Sequence, residues 1–140
     1  MVRVDCQSHV FPKAYAELLC ENTTWVRTVR KDNGYLVSYG DTQQFLLNLE
    51  PYDPAVKIRD MDAARIDVSV LTVNIPGPEL LTVELGIQGA RICNDYLAEL
   101  CGKYSSRFVG LATLPLQDVP AAMAEYQRAI HGLGLRGVFL

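Results

Sequence analysis

The run Ile66-Asp67-Val68-Ser69-Val70-Leu71-Thr72-Val73 is almost continuously apolar and β-branched. Apolar residues at successive positions give a strand two buried faces, the habit of parallel sheets covered by helices. Asn74-Ile75-Pro76-Gly77-Pro78 ends the run, because prolines and glycine do not extend a central ladder. Just upstream, Asp53-Pro54 joins a capping carboxylate to a proline at the first helical position, and Val56, Met61, Ala64 and Ile66 trace an apolar stripe behind it. Downstream, Ile92, Tyr96, Leu97 and Leu100 recur at helical spacing in a segment reaching about Tyr104. Phe108 to Leu114 reads as the next strand, Asp118 with Pro120 opens a helix to about Gly132, and Leu135 to Leu140 begins another strand. Helices alternating with apolar strands predict a parallel α/β sheet with right-handed crossovers.

On the other side of the deciding run, Val2 to Cys6 alternates at period two and predicts a strand. Gln7-Ser8-His9 then falls at its C-terminal end, with residues 7 and 9 on one face. Pro12 opens a short helix to Glu21 carrying Tyr15, Leu18 and Leu19 on one side. Trp25 to Arg30 and Tyr35 to Tyr39 flank Asn33-Gly34 and predict a hairpin, which Gln44 to Leu49 joins as a third strand. The expected fold is α/β, with about four parallel strands and a small antiparallel insertion near residues 25–49. The first strand lacks a GxGxxG turn and no Walker glycine loop occurs, which disfavours a nucleotide fold.

The chain has 140 residues, 49% hydrophobic and 21% charged, a composition suited to one globular domain over 1–140. Thirteen Lys and Arg against sixteen Asp and Glu give a net charge of −3, which argues against a nucleic-acid partner. Arg27, Arg30 and Lys31 form the one basic cluster and read as a solvated strand face. No apolar run reaches the roughly 18 residues of a membrane span, and the opening MVRVDCQSHV lacks the apolar centre of a signal peptide. A cytoplasmic protein without a membrane partner is expected. Cys6, Cys20, Cys93 and Cys101 include no CxxC pair, so reduced thiols are expected, with Cys93 and Cys101 on one buried helix face.

Working residues of parallel α/β folds gather at the C-terminal ends of strands, where His9, Gln7, Asn74 and Thr113 are expected. Val4-Asp5-Cys6-Gln7-Ser8-His9-Val10-Phe11-Pro12 resembles the opening of the amidohydrolase superfamily, whose first strand carries Asp-x-His-x-His. Tyr52-Asp53-Pro54, Arg59-Asp60-Met61-Asp62, the run from Arg107 to Gln117, and Leu133-Gly134-Leu135-Arg136-Gly137-Val138 are similar to the branch containing aminocarboxymuconate-semialdehyde decarboxylase and γ-resorcylate decarboxylase. The resemblance covers essentially the whole chain.

It implies the N-terminal half of a (β/α)8 barrel that binds a divalent metal, most often zinc, for hydrolysis or non-oxidative decarboxylation of a small carboxylated or cyclic substrate. His9 matches the second histidine of the motif and is the implied metal ligand. Gln7 stands where the first is expected and supplies a weak, neutral amide oxygen, although some decarboxylases of the branch place glutamate there. A whole barrel takes roughly 250 residues, so the resemblance implies that the catalytic residues and other ligands lie beyond residue 140. The chain alone is expected to be inactive. The other expectation is a non-catalytic half-barrel module, because unfinished strand edges recruit a second copy or a separate second half. His131 is expected on the outer helix layer, as are Asp53, Asp60 and Asp62, and the Gln44-Phe45-Leu46 loop offers no arginine for a substrate carboxylate.

Overall fold

A computed structural model describes residues 1–140 and contains two three-stranded sheets. The parallel sheet is made of β1 (Val4–Val10), β5 (Val68–Val73) and β6 (Phe108–Gly110), in the order β1-β5-β6. The antiparallel sheet, β2 (Val26–Lys31), β3 (Gly34–Tyr39) and β4 (Gln43–Leu47), lies within the crossover between β1 and β5. Four α-helices accompany them: α1 (Lys13–Leu19), α2 (Pro54–Ala64), α3 (Val83–Lys103) and α4 (Val119–Gln127).

The caps explain where the helices begin. Asp53 Oδ1 accepts the Ala55 N–H at 2.7 Å and starts α2, and Asp118 Oδ1 accepts the Ala121 N–H at 2.9 Å and starts α4. Arg65, at φ 56°, turns the chain out of α2 and into β5. Ala64 is exposed and Ile66 lies past the helix end, so the stripe that packs inward from α2 is narrower than the sequence suggests. On α3, Ala90, Cys93, Leu97 and Leu100 are buried together, and a fully buried leucine among them contributes about 2 kcal/mol. Gly89 lets α3 approach α1, since a Cβ there would stand 2.7 Å from the Tyr15 ring.

Pairing fixes the two faces of the parallel sheet. Asp5 pairs with Ser69, Ser8 with Leu71, His9 with Thr72 and Val10 with Val73, so one extra residue of β1 is accommodated between Asp5 and Ser8. That bulge puts Asp5, Ser8 and Val10 on the face shared by Ser69, Leu71, Val73 and Phe108, which the helices bury. The opposite face carries His9, Val70, Thr72, Val109 and Leu111, and all but Thr72 are only half-buried.

Four expectations need correction. β1 runs on to Val10, so Gln7 and His9 belong to the strand itself, where pairing with β5 continues past Cys6. The hairpin turns at Asp32-Asn33 instead of Asn33-Gly34, because Lys31 pairs with Gly34, and the positive φ of 140° sits at Gly34 alone. β6 ends at Gly110, short of Leu114, and residues 135–140 make a single bridge, Ala112 to Val138, instead of a fourth full strand. Three backbone bonds support that bridge: Arg136 N–H to Gly110, Ala112 N–H to Gly137 and Phe139 N–H to Ala112. One residue past the bridge, the Thr113 backbone N–H donates to the Asn94 side chain and its C=O accepts from it.

Gly34→Ala is predicted to destabilise the protein by about 1–3 kcal/mol, read as a lower urea midpoint. A Cβ at residue 34 would collide with the Leu47 backbone carbonyl, which no rotamer change relieves. An unchanged midpoint would contradict this hairpin geometry.

Candidate functional site

Of the residues singled out in the sequence, Asn74 and Thr113 line one opening at the C-terminal end of the parallel sheet, whereas His9 lies on its half-buried face and Gln7 is exposed. His9 stands beside Thr72, and its Nδ1 is 2.8 Å from Thr72 Oγ1. That bond orients the ring and leaves Nε2 free, the disposition used by histidines that serve as bases or ligands. Burial holds the His9 pKa below its ordinary 6.5, with the Lys57 charge adding to the depression and Asp5 opposing it. Gln7 is exposed, and its backbone N–H donates to Asp5 Oδ1 at 3.1 Å.

The cation nearest this strand lies behind it. Lys57 reaches from α2 to donate to Ser8 Oγ at 2.9 Å on the helix-covered face. Desolvation lowers the Lys57 pKa, and Asp5 and Asp60 work against that shift.

Asn74, just beyond β5, donates from Nδ2 to the Tyr52 hydroxyl at 2.8 Å, and its Oδ1 accepts the Ile75 N–H at 2.9 Å. It separates two openings. One, of about 110 Å³, is lined by Asn74, Glu79, Thr113, Leu114 and Phe139 among others. The other, of about 430 Å³, is lined by Gln43, Phe45, Asn48, Tyr52, Asn74 and Ile75 among others, and so lies between the antiparallel sheet and the end of β5.

His131 lies exposed in the π-turn Arg128–Gly132, away from these residues, as expected. Asp53 caps α2, Asp60 pairs with Arg59 and Asp62 pairs with Arg107, so all three carboxylates have surface roles. The four cysteines are free, and Cys93 and Cys101 share the packed side of α3, where burial raises both thiol pKa values. Tyr52, Glu79 and Asn94 escaped the sequence reading as site-lining or site-supporting residues. Tyr52 was at hand beside the Asp53-Pro54 cap and Asn94 falls at helical spacing between Ala90 and Leu97, whereas Glu79 carries no periodic signal.

His9 and Gln7 are two neutral donors, and no group of three or more His, Cys, Asp or Glu side chains gathers to hold a metal. These 140 residues therefore do not fit a metal ion by themselves.

In the metal-free chain, histidine NMR is predicted to place the His9 pKa below 6.5. An unfolded chain then binds the His9 proton more readily than the folded one, so the His9 contribution to stability is present above pH 6.5 and is lost as pH falls through the folded value. Lys57→Met should raise that pKa without carrying it past 6.5, because burial is the larger cause. A wild-type value at or above 6.5 would remove the argument for a desolvated ring.

Residues 4–140 match the amidohydrolase family model. A γ-resorcylate decarboxylase of Rhizobium sp. (strain MTP-10005) is 38% identical over 101 residues, which are 71% of this chain and 30% of that protein. The crystal structure of a 2,6-dihydroxybenzoate decarboxylase from Rhizobium matches with a TM-score of 0.64 and 31% identity, over 99% of this chain and 38% of the other. A dihydroxybenzoic acid decarboxylase from Polaromonas sp. JS666, solved with bound manganese and the inhibitor 2-nitroresorcinol, shares the fold with a TM-score of 0.64 and 23% identity, over 98% of this chain and 37% of the other. The chain spans well under half the length of these relatives. Its parallel sheet, helix layer and inserted antiparallel sheet are the opening portion of a (β/α)8 barrel, and the chain belongs to the amidohydrolase family.

Proposed function

We propose that these residues form the opening part of a divalent-metal-dependent, non-oxidative decarboxylase (a lyase) acting on a small hydroxylated aromatic acid. The observation that carries this reading is His9, oriented by Thr72 on the uncovered face of the sheet within a family match spanning residues 4–140. The relatives named above as decarboxylases support the reaction class, and the manganese in one of them supports a divalent ion. Zinc is the alternative ion, because a neutral imidazole suits it well.

In this reading His9 Nε2 and the Gln7 amide oxygen would be two of the donors to an ion held with further ligands outside these residues, and the ion would supply Lewis acidity. The Thr72 hydroxyl fixes the His9 ring. Asn74 and Tyr52 line the opening beside the antiparallel sheet and present an amide and a hydroxyl to a small polar substrate. The other ligands and the acid–base groups belong to the rest of the barrel, so the 140 residues alone do not turn over. The protein acts in the cytoplasm on a small molecule, without nucleic acid or membrane.

A second reading, a non-catalytic module that pairs with its own copy or with a separate second part, draws on the uncovered sheet. Val70, Val109 and Leu111 are half-buried, and Leu116, Phe139 and Leu140 are exposed apolar residues at the same end. Sedimentation at micromolar concentration tests it, and a stable monomer would count against self-association.

The purified chain is expected to retain less than one Mn²⁺ or Zn²⁺ per molecule after dialysis and to release no CO2 from 2,6-dihydroxybenzoate. Gln7→His should raise zinc retention. Co-expression with the remainder of the barrel from the Rhizobium enzyme should restore CO2 release, and His9→Ala should lower it by roughly a hundredfold. Stoichiometric metal and turnover in the lone chain would overturn the inactivity. A complemented barrel that assembles and still releases no CO2 would overturn the decarboxylase reading.

A further inference from the structure

Asn94 lies fully buried in the middle of α3, among inward side chains that are otherwise small or apolar. A buried amide is tolerated when its donors and acceptor are matched, and here they are matched in one way. Its Oδ1 accepts the Thr113 backbone N–H at 2.9 Å. Its Nδ2 donates to the Thr113 carbonyl at 2.9 Å and to Glu125 Oε1 at 2.7 Å. The orientation is dictated, because the Thr113 N–H requires an acceptor whereas the Thr113 carbonyl and the Glu125 carboxylate require donors. Glu125 is also buried and is gripped by Arg128 through Nε at 2.9 Å and a terminal guanidinium nitrogen at 2.8 Å.

The two bonds to Thr113 are those that a neighbouring strand makes to a ladder residue. They occur where the sheet lacks a strand to make them, one residue past the isolated bridge at Ala112. Thr113 and Leu114 form one wall of the opening that faces Asn74 and Glu79. That opening lies at the C-terminal ends of β5 and β6, the end of a parallel sheet where barrel proteins place their chemistry.

We propose that Asn94 is a positioning residue for this opening: its side-chain amide takes the place of a strand edge and fixes the Thr113–Leu114 wall, with Glu125 and Arg128 holding the amide in turn. The inference rests on reading the C-terminal face as the substrate face, but its test requires neither metal nor turnover, so it can fail while the decarboxylase reading stands, and the reverse.

Three measurements on the 140-residue chain test it. In the wild-type protein, NMR should detect scalar coupling across the hydrogen bond from Asn94 Nδ2 to the Thr113 carbonyl carbon. Asn94→Leu should lower the exchange protection of the Thr113 amide by roughly tenfold relative to that of Val37 in the antiparallel sheet. Asn94→Asp keeps an acceptor for the Thr113 N–H but removes both donors and sets a second carboxylate against Glu125. The other charged groups facing this pair are Arg128 beyond α4, and Arg91 and Asp95 on α3. Two carboxylates at one buried site bind a proton more tightly than they do in the unfolded chain. The variant is therefore more stable at low pH, where a protonated carboxyl again donates, and loses that stability as pH rises. Its Thr113 carbonyl shift should titrate with a midpoint above the ordinary carboxylate value of about 4 and return toward the wild-type value below that midpoint. Absence of the coupling, equal loss of protection at Thr113 and Val37, or a pH-independent carbonyl shift in Asn94→Asp would each overturn the proposal. The wild-type coupling decides the matter if neither variant folds.

Discussion

The parallel pairing of β1 with β5 is the contact on which the rest of the arrangement depends. It closes a crossover that contains α1, the antiparallel sheet and α2, so more than fifty residues are organised by one strand pair. The bulge between Asp5 and Ser8 decides which side chains that pair presents to each layer. A one-residue shift exchanges the faces of a strand. As built, Asp5 turns with Ser8 toward Ser69 and α2, where it partly balances the half-buried Lys57. His9 turns the other way, toward Thr72. Asp5 and the imidazole are thereby placed on opposite faces of the same strand.

The helix layer transmits that placement to the ends of the sheet. Tyr15 on α1 is fully buried and donates its hydroxyl to the Pro76 carbonyl at 2.9 Å, which ties the first helix to the loop after β5. Burial pushes its pKa well above 10, so the phenol remains a donor at every physiological pH. Asn22 extends the same seam, donating to the Val26 carbonyl and accepting the Thr82 N–H ahead of α3. The antiparallel sheet is thus joined both to α1 and to the start of α3. Its inward aromatic residues Tyr39 and Phe45 pack at 6.2 Å, and Phe45 lines the larger opening with Tyr52.

Much of this layout was legible in the residues. The β-branched run at 68–73 and the Asp-Pro cap at 53–54 announced a buried parallel strand and the helix before it, because burial on two faces and capping chemistry both act through neighbours in sequence. What escaped depends on partners distant in sequence. The bulge in β1 is set by its register with β5, and the backbone of Thr113 is held by Asn94, nineteen residues before it in sequence. An asparagine within a helix looks like a poor helix former with a solvent-facing side chain, and only the tertiary structure turns it inward. The hairpin shows the converse, since Asn33-Gly34 marked the turn correctly to within one residue and the pairing of Lys31 with Gly34 fixed the exact register.

The face bearing His9 carries a constraint on the proposed chemistry that follows from charge. His9, Val70, Thr72, Val109 and Leu111 are its side chains, with Gln7 exposed two residues before His9, and none is an anion; His9 is held toward its neutral form by burial. Asp5, the nearest carboxylate in sequence, is turned to the other face, where Ser69 and Lys57 compete for it. A divalent ion taken out of water toward His9 and Gln7 would gain two neutral donors and no compensating charge, an unfavourable exchange in a medium of low dielectric. In the proposed reading, negative charge would come from the remainder of a barrel or from a substrate carboxylate. In the first case metal binding and completion of the barrel would be coupled, since anionic ligands would arrive with the strands that carry them. In the second the ion and the acid would bind together, each lowering the cost of burying the other. Both couplings follow from the neutrality of residues 7 and 9, since a histidine at residue 7 would carry no negative charge either.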